Sequence, residues 1–357
     1  MSTSVLTRWA SRALLLVGAL FALLAGPARA GTANAGLPGA TRANPLGGMR
    51  WGVYTGPIDG LYGAYTRARG HQRALLGKIA LKPLSYWFGA WYPDSYARTV
   101  AQQYIGNQTG GNPDVLAQVT LFRLYPWESC STRFGPGAQA SYRRWLDGFA
   151  AGIGAARVAV ILQPDLPFAL CQPFPAQALG LVAYAAKRLN AQRRSTVYID
   201  AGAAAWKSPR QAAAMLAQAG IRHARGFALN VSQYGSTSLE LGYGAQVIHA
   251  LAVDGIRGKH FVVNTSENGA PFLAGQYAGN INNPRVCRSR HDTICDTLGI
   301  PPTWHTADPR WHLGPAARAI ARHYADAYVW AGRTWLDNGS GPLDLHRALG
   351  LAATSPF

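Results

Sequence analysis

Acidic side chains are scarce in this sequence: 16 Asp and Glu stand against 34 Lys and Arg, for a formal charge of +18 at pH 7. With so few carboxylates, each one in a patterned place carries information. The 4 cysteines show no metal-ligand spacing, so no metal site is expected. The 9 histidines fall into no zincin or triad spacing, and no Gly-x-Ser-x-Gly elbow occurs. No glycine fingerprint follows the first strand either. Metallopeptidases, acyl-transfer hydrolases and dinucleotide enzymes are thereby disfavoured, and no cofactor is expected. The basic residues form no runs and no nucleic-acid motif is present. The charge therefore reads as a solvated basic surface suited to anionic cell envelopes rather than to nucleic acid.

Long apolar runs are also lacking after residue 30. Before it, Arg8 and Arg12 precede the apolar run Ala13–Ala25, which is too short to span a bilayer, and Ala28-Arg29-Ala30 follows. This is the pattern of a cleaved signal peptide over residues 1–30, with a retained anchor as the alternative. Residues 31–49, rich in Gly, Ala, Pro, Thr and Asn, read as a flexible leader. Residues 50–357 read as one catalytic domain, exported and without a membrane span once the signal is removed. In an exported chain an even cysteine count suggests disulfides, and of three possible pairings Cys130–Cys171 and Cys287–Cys295 is expected.

Short β-rich runs alternate with longer helical segments. Strands are expected at Leu84–Phe88, Val119–Leu124, Val158–Gln163, Thr196–Asp200, Gly226–Val231, His260–Asn264 and Ala327–Trp330. Helices are expected at Ser95–Ile105, Gln139–Gly152, Ala176–Ala191, Pro209–Gly220 and Leu239–Asp254. The pattern predicts an α/β fold, a distorted (β/α) barrel of about seven parallel strands, TIM-barrel-like, with an open doubly wound sheet as the competitor.

Glu128, Asp165, Asp200, Glu267 and Asp337 each follow a strand, where such barrels carry their chemistry. A single strand-end acid is as readily a helix cap, but five on one rim point to a site. Asp147 and Glu240, on helices, read as ordinary solvated charges. Trp87, Trp91, Trp127, Trp206, Trp330 and Trp335 sit near the same rim, and flat aromatic faces suit pyranose rings, although most Trp residues simply pack.

Several segments in consistent order resemble glycoside hydrolase family 6. These are Val160-Ile161-Leu162-Gln163-Pro164-Asp165; Tyr198-Ile199-Asp200-Ala201-Gly202 with Trp206; Gly226–Val231; Val263–Gly269; Cys295 with Leu298–Thr303; and Asp326–Trp330. The resemblance implies a secreted, endo-acting enzyme that cleaves β-1,4-glucan with inversion, as a monomer needing only its polysaccharide or oligosaccharide substrate. It implies that Asp165 is the general acid. Aligning on Cys130 puts Ser129 where the family has an Asp that keeps the acid protonated, so Glu128 is expected to take that role. Gln163 replaces a family Glu and Ala203 a family His. In the segment Gly332–Gly339, Asp337 falls one residue from the family's base-position Asp and is the candidate base. Arg333 stands in for the family Lys, which ungapped alignment pairs with Gly332. Trp87 and Trp206 are the expected sugar platforms, and Asp200, Asn230 and Ser266 the expected partners of sugar hydroxyls. These departures also keep open a glycan-binding protein without efficient catalysis, or an enzyme remodelling an envelope glucan.

Overall fold

A computed structural model describes residues 43–124, 133–171 and 173–357. The expected signal peptide, Trp127, Glu128, Ser129 and Cys130 lie outside the described residues. None of the described helices is long and apolar enough to cross a membrane.

Seven strands form one sheet in sequential order: β1 (Tyr86–Gly89), β2 (Leu116–Phe122), β3 (Arg157–Leu162), β4 (Ser195–Asp200), β5 (Gly226–Leu229), β6 (His260–Asn264) and β7 (Ala325–Val329). All neighbouring pairs are parallel. The sheet curls until its edges touch at a single bridge, Leu84 to Trp330, where the Ser85 N–H donates to the Trp330 carbonyl at 2.9 Å. The open doubly wound sheet is thus excluded, and all seven strands lie where periodicity placed them.

Nine helices occur among the described residues: α1 (Leu61–Arg67), α2 (Gly70–Ala80), α3 (Ala97–Thr109), α4 (Pro136–Ile153), α5 (Pro175–Asn190), α6 (Pro209–Gln218), α7 (Thr237–Val253), α8 (Pro315–Tyr324) and α9 (Leu345–Thr354). Proline opens α4, α5, α6 and α8, where its fixed φ suits the first turn and its missing N–H would have had no helical partner. Ser208 and Gln211 close a capping box at α6.

The two faces of the sheet feed two cores. Alternation along β3 sends Val158, Val160 and Leu162 into the layer beneath the helices, and Ala159 and Ile161 into the barrel interior with Tyr198, Ala228 and Val329. The chain joins this interior before Arg50. Leu46 is fully buried there, the Trp51 indole donates to its carbonyl at 2.9 Å, and Asn44 Nδ2 donates to the Asp326 carbonyl at 2.7 Å. The leader therefore ends earlier than its composition suggested, because Leu46 and Trp51 fill the barrel's lower end.

That end also holds a closed polar network. Asp326 receives a bidentate pair from Arg225 at 2.9 and 3.0 Å and the Tyr198 hydroxyl at 2.7 Å, with His260 Nδ1 at 3.4 Å. Such saturation is structural rather than catalytic. Cys287 and Cys295 form the expected disulfide in the long segment after β6. Cys171 is also disulfide-bonded; its expected partner, Cys130, lies outside the described residues.

At Gly226 an added Cβ would meet the His260 backbone oxygen of the neighbouring strand at 1.6 Å, whereas at Gly242, inside α7, it would meet nothing within 4 Å. Gly226→Ala is expected to destabilise by about 3 kcal/mol and Gly242→Ala to stabilise by about 0.5–1 kcal/mol, read as shifts of opposite sign in urea melts.

Candidate active site

At the opposite, carboxyl end of the strands the backbone does something unusual. Directly after β3, Gln163 and Asp165 both adopt left-handed conformations, at φ of 57° and 64°, on either side of Pro164. Residues with a Cβ enter this region at a cost of about 1 kcal/mol or more each, so the turn needs external support. Asp200, at the end of β4, supplies it: Oδ2 accepts the backbone N–H groups of Asp165 and Gly202, both at 3.0 Å. The buried Gln163 side chain ties the turn to β2 by accepting the Leu124 N–H at 3.2 Å.

The turn aims the Asp165 side chain into a groove, where it is 9% exposed and accepts a hydrogen bond from Ser232 Oγ at 2.5 Å. The same groove is lined by Trp87, Tyr234, Glu267, Arg333, Arg347 and the polar residues Asn282, Asn283, Asn338 and Ser340. The Glu267 carboxyl, beyond the end of β6, accepts from Asn264 Nδ2 at 3.3 Å and sits against the backbone of Gly332. Burial pushes Glu267 well above the usual carboxylate range; Asp296 and Asp165 push it further, and Arg347 and Arg333 oppose them. Arg347 is held by Asp296 at 2.5 Å and by the Pro284 carbonyl at 2.7 Å. The Arg333 guanidinium lies over the Trp87 ring, 4.6 Å from its centroid. Burial lowers Arg333 to about 10, still a cation at neutral pH.

Two carboxyls, an aromatic face, two guanidinium groups and several amide and hydroxyl groups thus line one groove, and such a set can hydrogen-bond a hydroxyl-rich ligand. The model of glycosyl hydrolases family 6 matches residues 58–333 of this chain. The chain belongs to that family. It is 37% identical over 223 residues to endoglucanase A of Cellulomonas fimi, across 61% of this chain and 47% of that protein, so it spans about half the length of that relative. It is 34% identical to endoglucanase 1 of Streptomyces halstedii, across 66% of this chain and 75% of that one. The solved structure of endoglucanase Cel6 from Mycobacterium tuberculosis, in complex with methyl-cellobiosyl-4-deoxy-4-thio-β-D-cellobioside, superimposes with a TM-score of 0.69 at 30% identity, covering 87% of this chain and 99% of that chain.

Within this family 6 chain the expected site residues separate into groups. Asp165, Trp87 and Arg333 line one groove. Asp200 stands behind it: it is 1% exposed, binds backbone rather than facing the groove, and burial together with the Asp165 charge raises its pKa well above normal. Asn230 and Ser266 are fully buried and occupied within the protein, Asn230 with Gly235 and the Asn264 carbonyl, and Ser266 with Asn264 Oδ1 at 3.0 Å. Trp206 packs on Phe168 at 5.0 Å and borders a separate depression with Leu239 and Tyr243. Asp337 is exposed and its carboxyl accepts from Asn338 Nδ2 at 2.9 Å; its neighbours Asn338 to Ser340 line the groove instead. Trp330 and Trp335 are packing residues, bonded to the Ile300 carbonyl and to Asp59.

Sequence reasoning gave Glu267 no role and did not single out Ser232, Tyr234 or Arg347. Ser232 carries no motif, and Arg347 arrives from α9, remote in sequence.

Glu240 overturns its expectation as a solvated helix charge. It is fully buried in the first turn of α7, accepts the Ala204 N–H at 3.2 Å, and burial pushes it up to about 8. A raised carboxyl favours the folded state below its unfolded pKa, and that contribution is lost as pH rises toward 8. Glu240→Gln keeps the acceptor and removes this loss. Its stability relative to wild type in urea melts should rise by on the order of 2–4 kcal/mol between pH 4.5 and pH 8.

Proposed function

We propose that this chain is an exported, endo-acting glycoside hydrolase that cleaves β-1,4-glucan by single displacement, with Asp165 as general acid. The placement of Asp165 carries the reading: a carboxyl aimed into the groove by a left-handed turn. A rigidly aimed, partly desolvated acid can hold its proton beside a glycosidic oxygen and deliver it as the bond breaks. Trp87, flanked by Arg333, offers an aromatic surface for a sugar ring, and the amide side chains of Asn282 and Asn283 suit its hydroxyls. Endo action and the glucan substrate draw support from the endoglucanase names of the relatives. Glu128, which lies outside the described residues, would keep Asp165 protonated. Export rests on the signal pattern of residues 1–30.

On soluble β-glucan, Asp165→Asn should lose about 100- to 10,000-fold in kcat, measured as reducing ends. Proton NMR of the wild-type reaction should show the α-anomer forming first, and first formation of the β-anomer would exclude single displacement. If wild type and Asp165→Asn produce reducing ends at the same rate, a glycan-binding role is favoured instead. A negative charge at Glu128 raises the pKa of the acid, so Glu128→Gln should shift the alkaline limb of kcat/KM to lower pH. An unmoved limb removes Glu128 from the mechanism.

A further inference from the structure

Single displacement needs a second group that accepts a proton from water, on the face of the sugar opposite the acid. Among the described residues Asp165 and Glu267 are the two carboxyl side chains lining the groove. Glu267 is 5% exposed and lines the groove. Its position is fixed on two sides. Asn264 Nδ2 donates to Oε1 at 3.3 Å, and an added Cβ on Gly332 would lie 2.7 Å from both carboxyl oxygens. The absence of a side chain at residue 332 is what gives this carboxyl its place.

Resting on the glycosidase reading, we propose that Glu267 is the catalytic base of this chain, accepting a proton from the attacking water. In the step, the water oxygen forms a bond to the anomeric carbon as the bond from that carbon to the leaving oxygen breaks. The Asp165 proton passes to the leaving oxygen, and one water proton passes to Glu267. The cycle closes when Glu267 returns its proton to solvent and Asp165 takes one up. The groups around Glu267 suit the task. Asp296 contributes negative charge, Arg347 and Arg333 positive charge, and burial makes the ionised carboxylate a stronger base than one in water. Asp337 is exposed and turned to Asn338.

The test compares wild type, Glu267→Gln, Glu267→Asp, Gly332→Ala and Asp337→Asn on soluble β-glucan. Glu267→Gln should lose about 100-fold or more in kcat with KM held within about threefold. Sodium azide, which needs no deprotonation to attack, should restore turnover of an aryl β-cellobioside by Glu267→Gln, giving the α-cellobiosyl azide. Azide should give no such gain with wild type or Asp337→Asn. If Glu267→Gln does not fold, Glu267→Asp, which withdraws the carboxylate by one methylene, and Gly332→Ala, which displaces it, should each lower kcat about tenfold or more. Undiminished kcat in a folded Glu267→Gln overturns the proposal, as does azide rescue of Asp337→Asn in its place. If wild type hydrolyses glucan and Asp165→Asn does not, those outcomes remove Glu267 alone. A wild type without hydrolase activity overturns this proposal together with the function it rests on.

Discussion

The groove depends on one carboxylate that does not line it. Asp200 Oδ2 accepts two backbone N–H groups, Asp165 and Gly202, and so joins the turn after β3 to the turn after β4. Hydrogen bonds of this kind contribute about 0.5–1.5 kcal/mol each, comparable to the cost of about 1 kcal/mol for each of the left-handed conformations of Gln163 and Asp165. Among the described residues the other Asp200 oxygen has no hydrogen-bond partner, and burial and the Asp165 charge both favour the neutral form of the carboxyl. Asp200 thus feels the charge of the residue whose backbone it fixes.

The two ends of the barrel use charge in opposite ways. At the lower end Asp326 is saturated by Arg225 and Tyr198, so its charge is spent on joining β7 to β4 and to the entry of β5. At the upper end Glu267 receives one long hydrogen bond from Asn264. Asp296 keeps Arg347 in the groove wall, and Arg333, 4.6 Å above the Trp87 ring, supplies a second cation near Glu267. A carboxyl that is not saturated by cations, as Asp326 is, remains available for proton transfer, which suits the mouth of the barrel rather than its base.

What the sequence disclosed follows from how local each signal is. Seven strands were legible because each carries its own apolar period and its own boundary. Asp165 was legible because the residues that flank it form one continuous motif. Asn230 and Ser266 belong to equally recognisable segments, yet their polar atoms turn inward to satisfy loop backbone, a matter of side-chain direction that no spacing encodes. Glu240 was misread for the same reason: a Glu in the first turn of a helix is ordinarily solvated, and only the packing of the Ala204 loop over α7 buries it. Arg347 could not be found at all, since α9 meets the groove only after the barrel has closed.

The segment after β7 shows how neighbouring residues can be coupled. Taken singly, a glycine at residue 332 reads as an empty position. In three dimensions any side chain there would strike Ser266 Oγ and the Glu267 carboxyl, at 2.3 and 2.7 Å from its Cβ. A buried Glu267 and a bare residue 332 are therefore mutually required. The cation enters one residue later, at Arg333, whose side chain reaches the Trp87 face rather than the space above Glu267. Substituting either member of such a pair alone makes a clash or a void beside a desolvated carboxyl, both destabilising by more than an exposed charge change would be. The charged groups around this groove thus form one interlocked packing arrangement, in which the place of the Glu267 carboxyl follows from the side chain that Gly332 lacks.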